Sequence, residues 1–194
     1  LAEQNVRECI MSNVIGTLNL LEEFDGEFIV LTSTDKAAQV SGVYGATKLL
    51  AERLFKEYET IHPNTKYRVV RYGNVLYSTG SVLCKWKDKL IKGEEIVATD
   101  LDATRFYWTV DEAIDLIFDC LENSNDSSPY FPNMKAIRMG DLLDAMIEKY
   151  SDGEPAVKII GLQPGENKHE RVDSSGRMSN QVDRYTRDEI LEVI

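Results

Sequence analysis

Apolar segments of two different periodicities alternate along the chain, and this alternation restricts the fold more than any other feature. Around 6–23 and 43–61, apolar residues recur at the spacing of an α-helix. Between them, the apolar run Phe28-Ile29-Val30-Leu31 is typical of a parallel strand buried on both faces. The pattern continues with predicted strands at 67–71, 95–98 and 157–160 and predicted helices at 81–91, 111–121, 140–150 and 187–194. Helices and strands that take turns predict a layered α/β fold.

Composition excludes several classes of protein. The 194 residues suffice for one domain with a substantial core, and a formal net charge of −11 argues against nucleic-acid binding, which needs a basic surface. The three cysteines, Cys9, Cys84 and Cys120, lack metal-ligand spacing, and with only two histidines we expect no metal site. There is no signal-peptide pattern and no apolar run long enough to span a bilayer. We therefore expect a cytoplasmic protein with no membrane partner.

A chemically distinctive group follows the first predicted strand. The loop Ser33-Thr34-Asp35-Lys36 lies at the carboxyl end of that strand, where open α/β sheets bind ligands. Tyr44 and Lys48 are four residues apart on the next predicted helix, so both project from one face. An ammonium beside a phenol lowers the tyrosine pKa, which suits removal of a hydroxyl proton. A Tyr-x-x-x-Lys pair alone is more often a surface tyrosine and a solvated lysine, so its weight depends on the neighbouring loop.

A series of blocks extends this pattern along the chain. The blocks are Thr32-Ser33-Thr34-Asp35-Lys36-Ala37, Val43-Tyr44-Gly45-Ala46-Thr47-Lys48-Leu49, Arg71-Tyr72-Gly73-Asn74-Val75, Gly80-Ser81-Val82, Thr104-Arg105-Phe106, Gly161-Leu162-Gln163-Pro164-Gly165-Glu166 and His169-Glu170. Together they resemble the extended short-chain dehydrogenase/reductases, and more narrowly the inverting UDP-N-acetylglucosamine 4,6-dehydratases of bacterial polysaccharide and flagellin glycosylation. The likeness covers the chain from its start to about Glu170.

The resemblance implies a fold and a cofactor. The expected fold is the C-terminal part of a Rossmann-like doubly wound parallel sheet, in residues 1–75, followed by a small α/β region, in residues 76–194, that mainly binds the nucleotide sugar. NADP, or NAD, is the implied cofactor, and its expected contacts are Ser33, Thr34, Tyr44, Lys48 and Tyr72. The family's glycine-rich dinucleotide turn is not in this sequence, so by the family pattern roughly the first third of the protein, about 100 residues, is missing.

The resemblance also implies roles in a reaction. A hydride leaves C-4 of the sugar while Tyr44 takes the hydroxyl proton, Thr34 hydrogen-bonds the C-4 oxygen, and Lys48 binds the nicotinamide ribose. Asp35 is then the acid that assists departure of the C-6 hydroxyl, and Lys36 is the C-5 base. Retaining relatives carry Asp-Glu at these two positions, so Lys36 indicates the type that inverts C-5. Lys36 must be neutral to act as a base, and burial near cations can supply that state.

The remaining expected contacts hold the UDP moiety. They are Asn74, Ser81, Val82, Arg105 and Glu166. Ser81 and Val82 begin a predicted helix, whose free N–H groups suit a diphosphate, and Arg105 offers a guanidinium fork. Taken alone, each of these residues is also compatible with a surface position that binds no ligand. Gln163 stands where the family commonly has arginine, which puts one charged substrate contact in doubt.

Two alternatives remain open from the sequence. One is a nucleotide-sugar 4-epimerase or reductase on the same scaffold, which Lys36 disfavours because epimerases need no C-5 base. The other is a non-catalytic UDP-binding module, if the chain begins at Leu1. In extended relatives the helices equivalent to 6–23 and 43–61 form a four-helix bundle between subunits, so we expect a homo-oligomer through these helices.

Overall fold

The first helical region is continuous but contains one widened turn. The structure, a computed structural model, describes residues 2–173 and 177–194. After a 3-10 turn at Ala2–Gln4, α1 (Val6–Ile10) runs into a π-helical segment (Met11–Ile15) and then into α2 (Gly16–Glu23). The Thr17 hydroxyl donates to the Asn13 carbonyl at 2.8 Å, a bond that competes with the regular backbone ladder. The helix predicted at 6–23 is confirmed.

A parallel sheet forms the first layer. Strands β1 (Phe28–Thr34) and β2 (Lys66–Tyr72) pair over their whole length, and β6 (Pro129–Tyr130) adds to the far edge of β2. One face packs on α2 and α3 (Val43–Ile61) through a core that includes Leu21, Leu31, Phe55 and Val69. The other face packs on α5 (Val110–Asn123) through Val70, Leu116 and Cys120. Layers of helix, sheet and helix confirm the α/β expectation.

The first strand differs from its prediction in burial. Ile29 and Leu31 are buried, whereas Phe28 is exposed and Val30 is only partly buried. The expectation of burial on both faces is therefore wrong for this run, because β1 is the edge strand of the described sheet and α5 covers the neighbouring β2. The continuous apolar sequence did not show whether β1 is an edge strand or a strand covered on both faces.

Smaller sheets complete the structure. Strands β3 (Asn74–Val75), β5 (Thr104–Trp108) and β7 (Ala136–Arg138) form one, and β4 (Ile96–Ala98) and β8 (Val157–Ile159) form another. Helices α4 (Val82–Lys92), α6 (Met139–Tyr150) and α7 (Arg187–Val193) enclose a core around Trp86, Leu142 and Ile190. The helices and β4 and β8 lie within a few residues of their predicted bounds. The sequence missed β3, β5, β6 and β7, which are two to five residues long.

No helix in the described ranges 2–173 and 177–194 is long and apolar enough to cross a membrane.

A buried ion pair joins α3 to the sheet. Arg71 on β2 donates from Nε to Glu52 Oε1 at 2.8 Å and from Nη2 to Glu52 Oε2 at 2.6 Å. The Ser33 hydroxyl donates to the same Glu52 Oε1 at 2.6 Å, and Arg71 Nη1 donates to the Val172 carbonyl at 3.1 Å. The carboxylate thus fixes α3 against the ends of both β1 and β2. In this bidentate ion pair, the buried charge of each partner is compensated only while the other partner is present.

We expect Glu52→Ala to lower the free energy of unfolding by about 3–5 kcal/mol, because it leaves the Arg71 charge buried without a partner. The matched control is Glu27→Ala, which removes the exposed ion pair with Lys66 and should cost less than about 1 kcal/mol. Urea denaturation of the protein and both variants measures the difference. Equal losses for the two substitutions would contradict this role for Glu52.

Candidate active site

A cavity of about 730 Å³ opens at the carboxyl ends of the two long parallel strands. Thr34 ends β1 and Tyr72 ends β2, and the register places these two residues opposite each other. The start of α4 contributes Ser81, the end of β4 contributes Ala98, and the Pro-Gly turn contributes Glu166. The volume lies in the range of small-molecule sites. This is the sheet edge at which the sequence predicted a ligand.

A tight turn brings the loop after β1 close to the start of α3. Thr34 caps the 3-10 turn Asp35–Ala37, and its hydroxyl accepts from the Lys36 amide at 3.4 Å. Gly45 allows α3 to approach this turn, because a Cβ there would lie 2.3 Å from the Lys36 carbonyl oxygen. The glycine of the Tyr-Gly-Ala-Thr-Lys block is therefore needed for close approach. It places Tyr44 beside the turn that carries Lys36.

The Lys36 ammonium lies among three acceptors. Nζ is 3.2 Å from Asp35 Oδ1, 3.3 Å from Asn74 Oδ1 and 3.7 Å from Glu170 Oε1. Burial by itself lowers the pKa of Lys36, but the charges of Asp35 and Glu170 outweigh it and raise the pKa above its usual value. The sequence had led us to expect surroundings that neutralise this amine. The structure shows the opposite, because two carboxylates face it and Arg105 is the weaker influence.

Asp35 lies behind the cavity wall. The residue is fully buried and does not line the cavity. Its Oδ1 accepts from the Thr34 hydroxyl at 2.9 Å and from Lys36 Nζ at 3.2 Å. Its Oδ2 is buried without a hydrogen-bond partner in the part of the chain that the structure describes. Asp35 therefore orients Thr34 and Lys36 and does not itself face the cavity, which differs from the direct contact with the C-6 hydroxyl that the sequence suggested.

Tyr44 lines the cavity with 40% of its surface exposed. Burial of the hydroxyl is the largest influence and raises the pKa of Tyr44, while the Lys36 charge and a hydrogen bond with Thr34 act in the opposite direction without cancelling it. The expectation that Lys48 lowers this pKa is not met in the structure. Helical spacing put Tyr44 and Lys48 on one face, but the cation that acts on the phenol is Lys36, from the neighbouring loop.

The Lys48 amine is half-buried and lies away from the cavity wall. Burial lowers the pKa of Lys48, and the charge of Glu52 one turn later partly compensates. Among the described residues its Nζ has no hydrogen-bond acceptor. A half-buried cation of this kind is available to a ligand that brings hydroxyl groups.

The expected UDP contacts converge on the same cavity. Asn74, Ser81, Val82, Arg105 and Glu166 all line it. The Ser81 side chain caps α4, and Arg105 Nη1 donates to the carbonyls of Thr104 and Lys168 at 2.9 and 3.0 Å. Glu166 Oε2 accepts from the Gln163 amide at 3.0 Å within its own turn. Arg105 and Glu166 thus each spend part of their hydrogen-bonding capacity within the protein. The side-chain oxygen of Asn74, Oδ1, already accepts a hydrogen bond from Lys36 Nζ.

The expected cofactor contacts divide into two groups. Ser33, Thr34, Tyr44 and Tyr72 line the cavity, and Lys48 does not. Burial, and to a smaller extent Cys120, raises the pKa of Tyr72 to about 12, so Tyr72 is a neutral hydrogen-bonding group at ordinary pH. The Ser33 hydroxyl is already used, since it donates to Glu52 Oε1.

Comparison with known proteins shows the family of this chain. Residues 1–190 match the family model described as "Polysaccharide biosynthesis protein". The chain belongs to this family. It is 37% identical over 188 residues to an "Uncharacterized membrane protein" of Methanocaldococcus jannaschii, covering 89% of this chain and 55% of that protein. It is 33% identical over 181 residues to a "UDP-N-acetylglucosamine 4,6-dehydratase (inverting)" of Campylobacter jejuni, covering 90% and 53%.

A solved structure of "Pen from Bacillus thuringiensis" has the same fold, with a TM-score of 0.84, 31% identity and coverage of 89% of this chain and 55% of that one. The chain thus spans about half the length of the curated relatives it matches. These matches confirm the family that the sequence blocks indicated, and the Rossmann-like α/β fold with it.

One residue of this polysaccharide biosynthesis protein received no role from the sequence. Glu170 is 2% exposed, lines the cavity and faces both Lys36 and Arg105. Glu170 belongs to the His169-Glu170 block, but nothing in the sequence indicated that a carboxylate so far along the chain lies close to Lys36. Charge balance is the signal that points to it: one buried and one partly buried cation at the same site, Arg105 and Lys36, need more than the single carboxylate of Asp35.

We expect Asp35→Asn to lower the pKa of Lys36, because burial remains while one of the two compensating charges is lost. The reactive neutral amine then forms at lower pH than in the unchanged protein. Labelling with an amine-specific reagent across a pH series, read for Lys36 by peptide mass spectrometry, measures the shift. Asp88→Asn, on the exposed side of α4, is the control and should leave the Lys36 profile in place. An unchanged profile for Asp35→Asn would contradict the electrostatic assignment.

Proposed function

We propose that the whole protein is a nucleotide-sugar 4,6-dehydratase that converts UDP-N-acetylglucosamine to a UDP-4-keto-6-deoxy sugar with inversion at C-5. The observation that carries this proposal is one cavity in which Tyr44 and Thr34 lie beside a lysine-bearing turn. The 33% identity to an inverting dehydratase supports it. Formation of this sugar would serve polysaccharide or glycan synthesis, as the family description indicates.

The residues around β1 suit a nicotinamide cofactor, NADP or NAD. When bound, this group takes a hydride from C-4 of the sugar and later returns it to C-6. Ser33, Thr34, Tyr44 and Tyr72 supply hydroxyl groups at the cavity, and the unpartnered Lys48 amine, in the described part of the chain, suits the ribose hydroxyls. A hydroxyl-rich, uncharged ligand group is compatible with the lowered pKa of Lys48, which burial causes.

Tyr44 takes the proton of the C-4 hydroxyl in this proposal, and Thr34 holds the C-4 oxygen. The Thr34 hydroxyl already donates to Asp35 Oδ1, which fixes its orientation toward the turn. Because its pKa is raised by burial, Tyr44 keeps its proton in the structure as it stands. A cation must therefore act on it during turnover, and Lys36, whose charge already lowers this pKa, is the cation beside it.

The UDP moiety extends toward α4. The Val82 amide N–H at the start of α4 suits an oxygen of the diphosphate, whereas the Ser81 amide already donates to the Ser78 carbonyl at 2.9 Å. Arg105 keeps Nη2 for an anion, since its Nη1 is taken by backbone carbonyls in the described structure. Asn74 and Glu166 complete this set as acceptors or donors for sugar and ribose hydroxyls.

Dehydration distinguishes this proposal from 4-epimerisation. Both reactions begin with hydride removal at C-4, but only dehydration needs an acceptor for the C-5 proton and a donor to the C-6 hydroxyl. Lys36 stands on the cavity wall beside Tyr44, where an epimerase needs no charged group. The sequence-based assignment gives the base role to Lys36 and the acid role to Asp35. Of these two, only Lys36 lines the cavity.

We expect Tyr44→Phe to slow product formation by about 10²–10⁴-fold, the usual effect of losing a positioned general base. Tyr58→Phe, farther along the same helix and outside the cavity lining, should keep the activity of the unchanged protein. Mass spectrometry and NMR of the product from UDP-N-acetylglucosamine identify a keto sugar lighter by one water. An epimeric sugar of unchanged mass would instead indicate the epimerase.

We also propose that the protein forms a homo-oligomer through the helices at 6–23 and 43–61. Large apolar side chains on these helices remain exposed, among them Ile10, Met11, Leu20, Leu50 and Ile61. Leu20, Leu50 and Ile61 each expose more than half of their surface. Burying such side chains against a second copy is favourable at about 25 cal/mol per Å².

Leu50→Lys should weaken self-association of the whole protein by at least about tenfold, since it puts a charge into an apolar contact. Sedimentation velocity over a concentration series measures this. Ile91→Lys changes an apolar residue on α4 that is even more exposed than Leu50, and it should leave the association unchanged. A monomeric unchanged protein would contradict the oligomer proposal.

A further inference from the structure

One side of helix α4 presents two lysines to the cavity. Lys85 and Lys89 are one helical turn apart, and both line the cavity. Ser81, the cap of the same helix, stands one turn before Lys85, so the three residues form a row along α4. The rotation of the helix is fixed by Leu83 and Leu90, which are buried in the core. The fold therefore directs two ammonium groups to this wall.

The other cations of the cavity wall are already compensated. Lys36 faces the carboxylates of Asp35 and Glu170. Arg105 faces Glu170 as well, and its Nη1 donates to two backbone carbonyls. Most of the attraction that these two groups have for an anion is thus used within the protein.

The two lysines of α4 lack this compensation. Within 2–173 and 177–194, the exposed Lys85 ammonium has no hydrogen-bond or ion-pair partner. Lys89 Nζ donates one hydrogen bond, to the Glu95 carbonyl at 2.7 Å, and faces no carboxylate in the same ranges. An ammonium has three donors, so Lys89 keeps two of them. In a chain of formal net charge −11, a general excess of positive charge does not explain two such groups at one wall.

The carboxylates nearest in the lining do not remove this local charge. Asp100 is paired with Lys168 at 3.2 Å. Glu166 accepts from the Gln163 amide within the Pro-Gly turn. That turn brings a carboxylate and a neutral amide side chain but no cation, so α4 is the source of unpaired positive charge in the described part of the wall.

We propose that Lys85, supported by Lys89, binds the diphosphate of the nucleotide sugar. This inference rests on the nucleotide-sugar function proposed above and adds residues to it. A lysine is a flexible point charge that suits phosphate oxygens, and Lys85 follows the Val82 amide by less than one turn. One phosphate group can thus meet the start of α4 while the Lys85 ammonium reaches it from the side.

The diphosphate takes no part in the bond changes of the sugar. Its contacts therefore have the same strength before and during the reaction, and losing one weakens binding without slowing the chemical step. We expect Lys85 and Lys89 to set the affinity for substrate and not the turnover rate. This expectation separates them from Tyr44, whose loss slows the reaction itself.

Lys85→Gln in the whole protein tests the proposal by isothermal titration with UDP and with uridine. We expect the Kd for UDP to rise about tenfold, the effect of losing one charge-assisted hydrogen bond, and the Kd for uridine to stay within about twofold. Lys89→Gln should raise the Kd for UDP about threefold, because this amine is farther along α4 and partly used by Glu95. Lys85→Arg keeps the charge and should stay within about threefold of the unchanged protein.

The matched control is Lys92→Gln, the same change of charge on the same helix. Lys92 is exposed and lies outside the cavity lining, so its loss should leave the Kd for UDP within about twofold. With UDP-N-acetylglucosamine as substrate, Lys85→Gln should raise KM about tenfold and keep kcat within about twofold. Raising the salt concentration should reduce the difference between Lys85→Gln and the unchanged protein, since salt screens an exposed charge.

The possible results are distinct. UDP binding by Lys85→Gln within about twofold of the unchanged protein overturns the role of Lys85 and leaves the dehydratase proposal intact. Equal losses of affinity for UDP and uridine overturn it too, because they indicate a change in the fold of α4. An unchanged protein that binds no UDP overturns the proposed function, and this inference with it.

Discussion

The parallel pairing of β1 with β2 is the constraint on which the site depends. Their register runs from Phe28 opposite Lys66 to Thr34 opposite Tyr72, so both chains leave the sheet at one edge. Two parts of the cavity follow from that exit: the turn with Lys36 comes after β1, and Asn74 comes after β2. The edge is locked by Glu52, which bonds Ser33 on one strand and Arg71 on the other. A shift of one residue in this register would separate these partners.

The same buried carboxylate couples stability to chemistry. Glu52 lies one turn after Lys48 on α3, and its charge partly offsets the effect of burial on that amine. It therefore anchors the helix to the sheet and also sets the electrostatic surroundings of a residue proposed to bind the cofactor. Lys48 keeps its amine unpaired in the described structure because Glu52 is already occupied by Arg71 and Ser33.

Local sequence patterns predicted the parts of the site that are close in the chain. The loop from Ser33 to Lys36 and the helix from Tyr44 to Lys48 follow from strand and helix periodicity, and both are where the sequence placed them. The sequence did not show which cation acts on Tyr44. Helical spacing tells which residues share a face of α3, but it does not tell which residues of other elements they contact. Nothing in the local sequence distinguished the buried Asp35 from its neighbours Thr34 and Lys36, which both line the cavity. Glu170 depends on how β5 and the Ser179 region fold together, which no local pattern records.

The electrostatics of the Lys36 site depend on charges that balance in pairs. Leaving one ion alone in a buried site costs several kcal/mol, about what a full pKa shift of a few units represents. Asp35 and Glu170 both face Lys36, and their charges raise the pKa of its ammonium above the usual value in spite of burial. Glu170 also faces Arg105, so each of these two cations has a carboxylate beside it. A lysine that acted as a base at this site would have to lose its charge against two carboxylates, and the loss of either carboxylate would make the neutral amine easier to form.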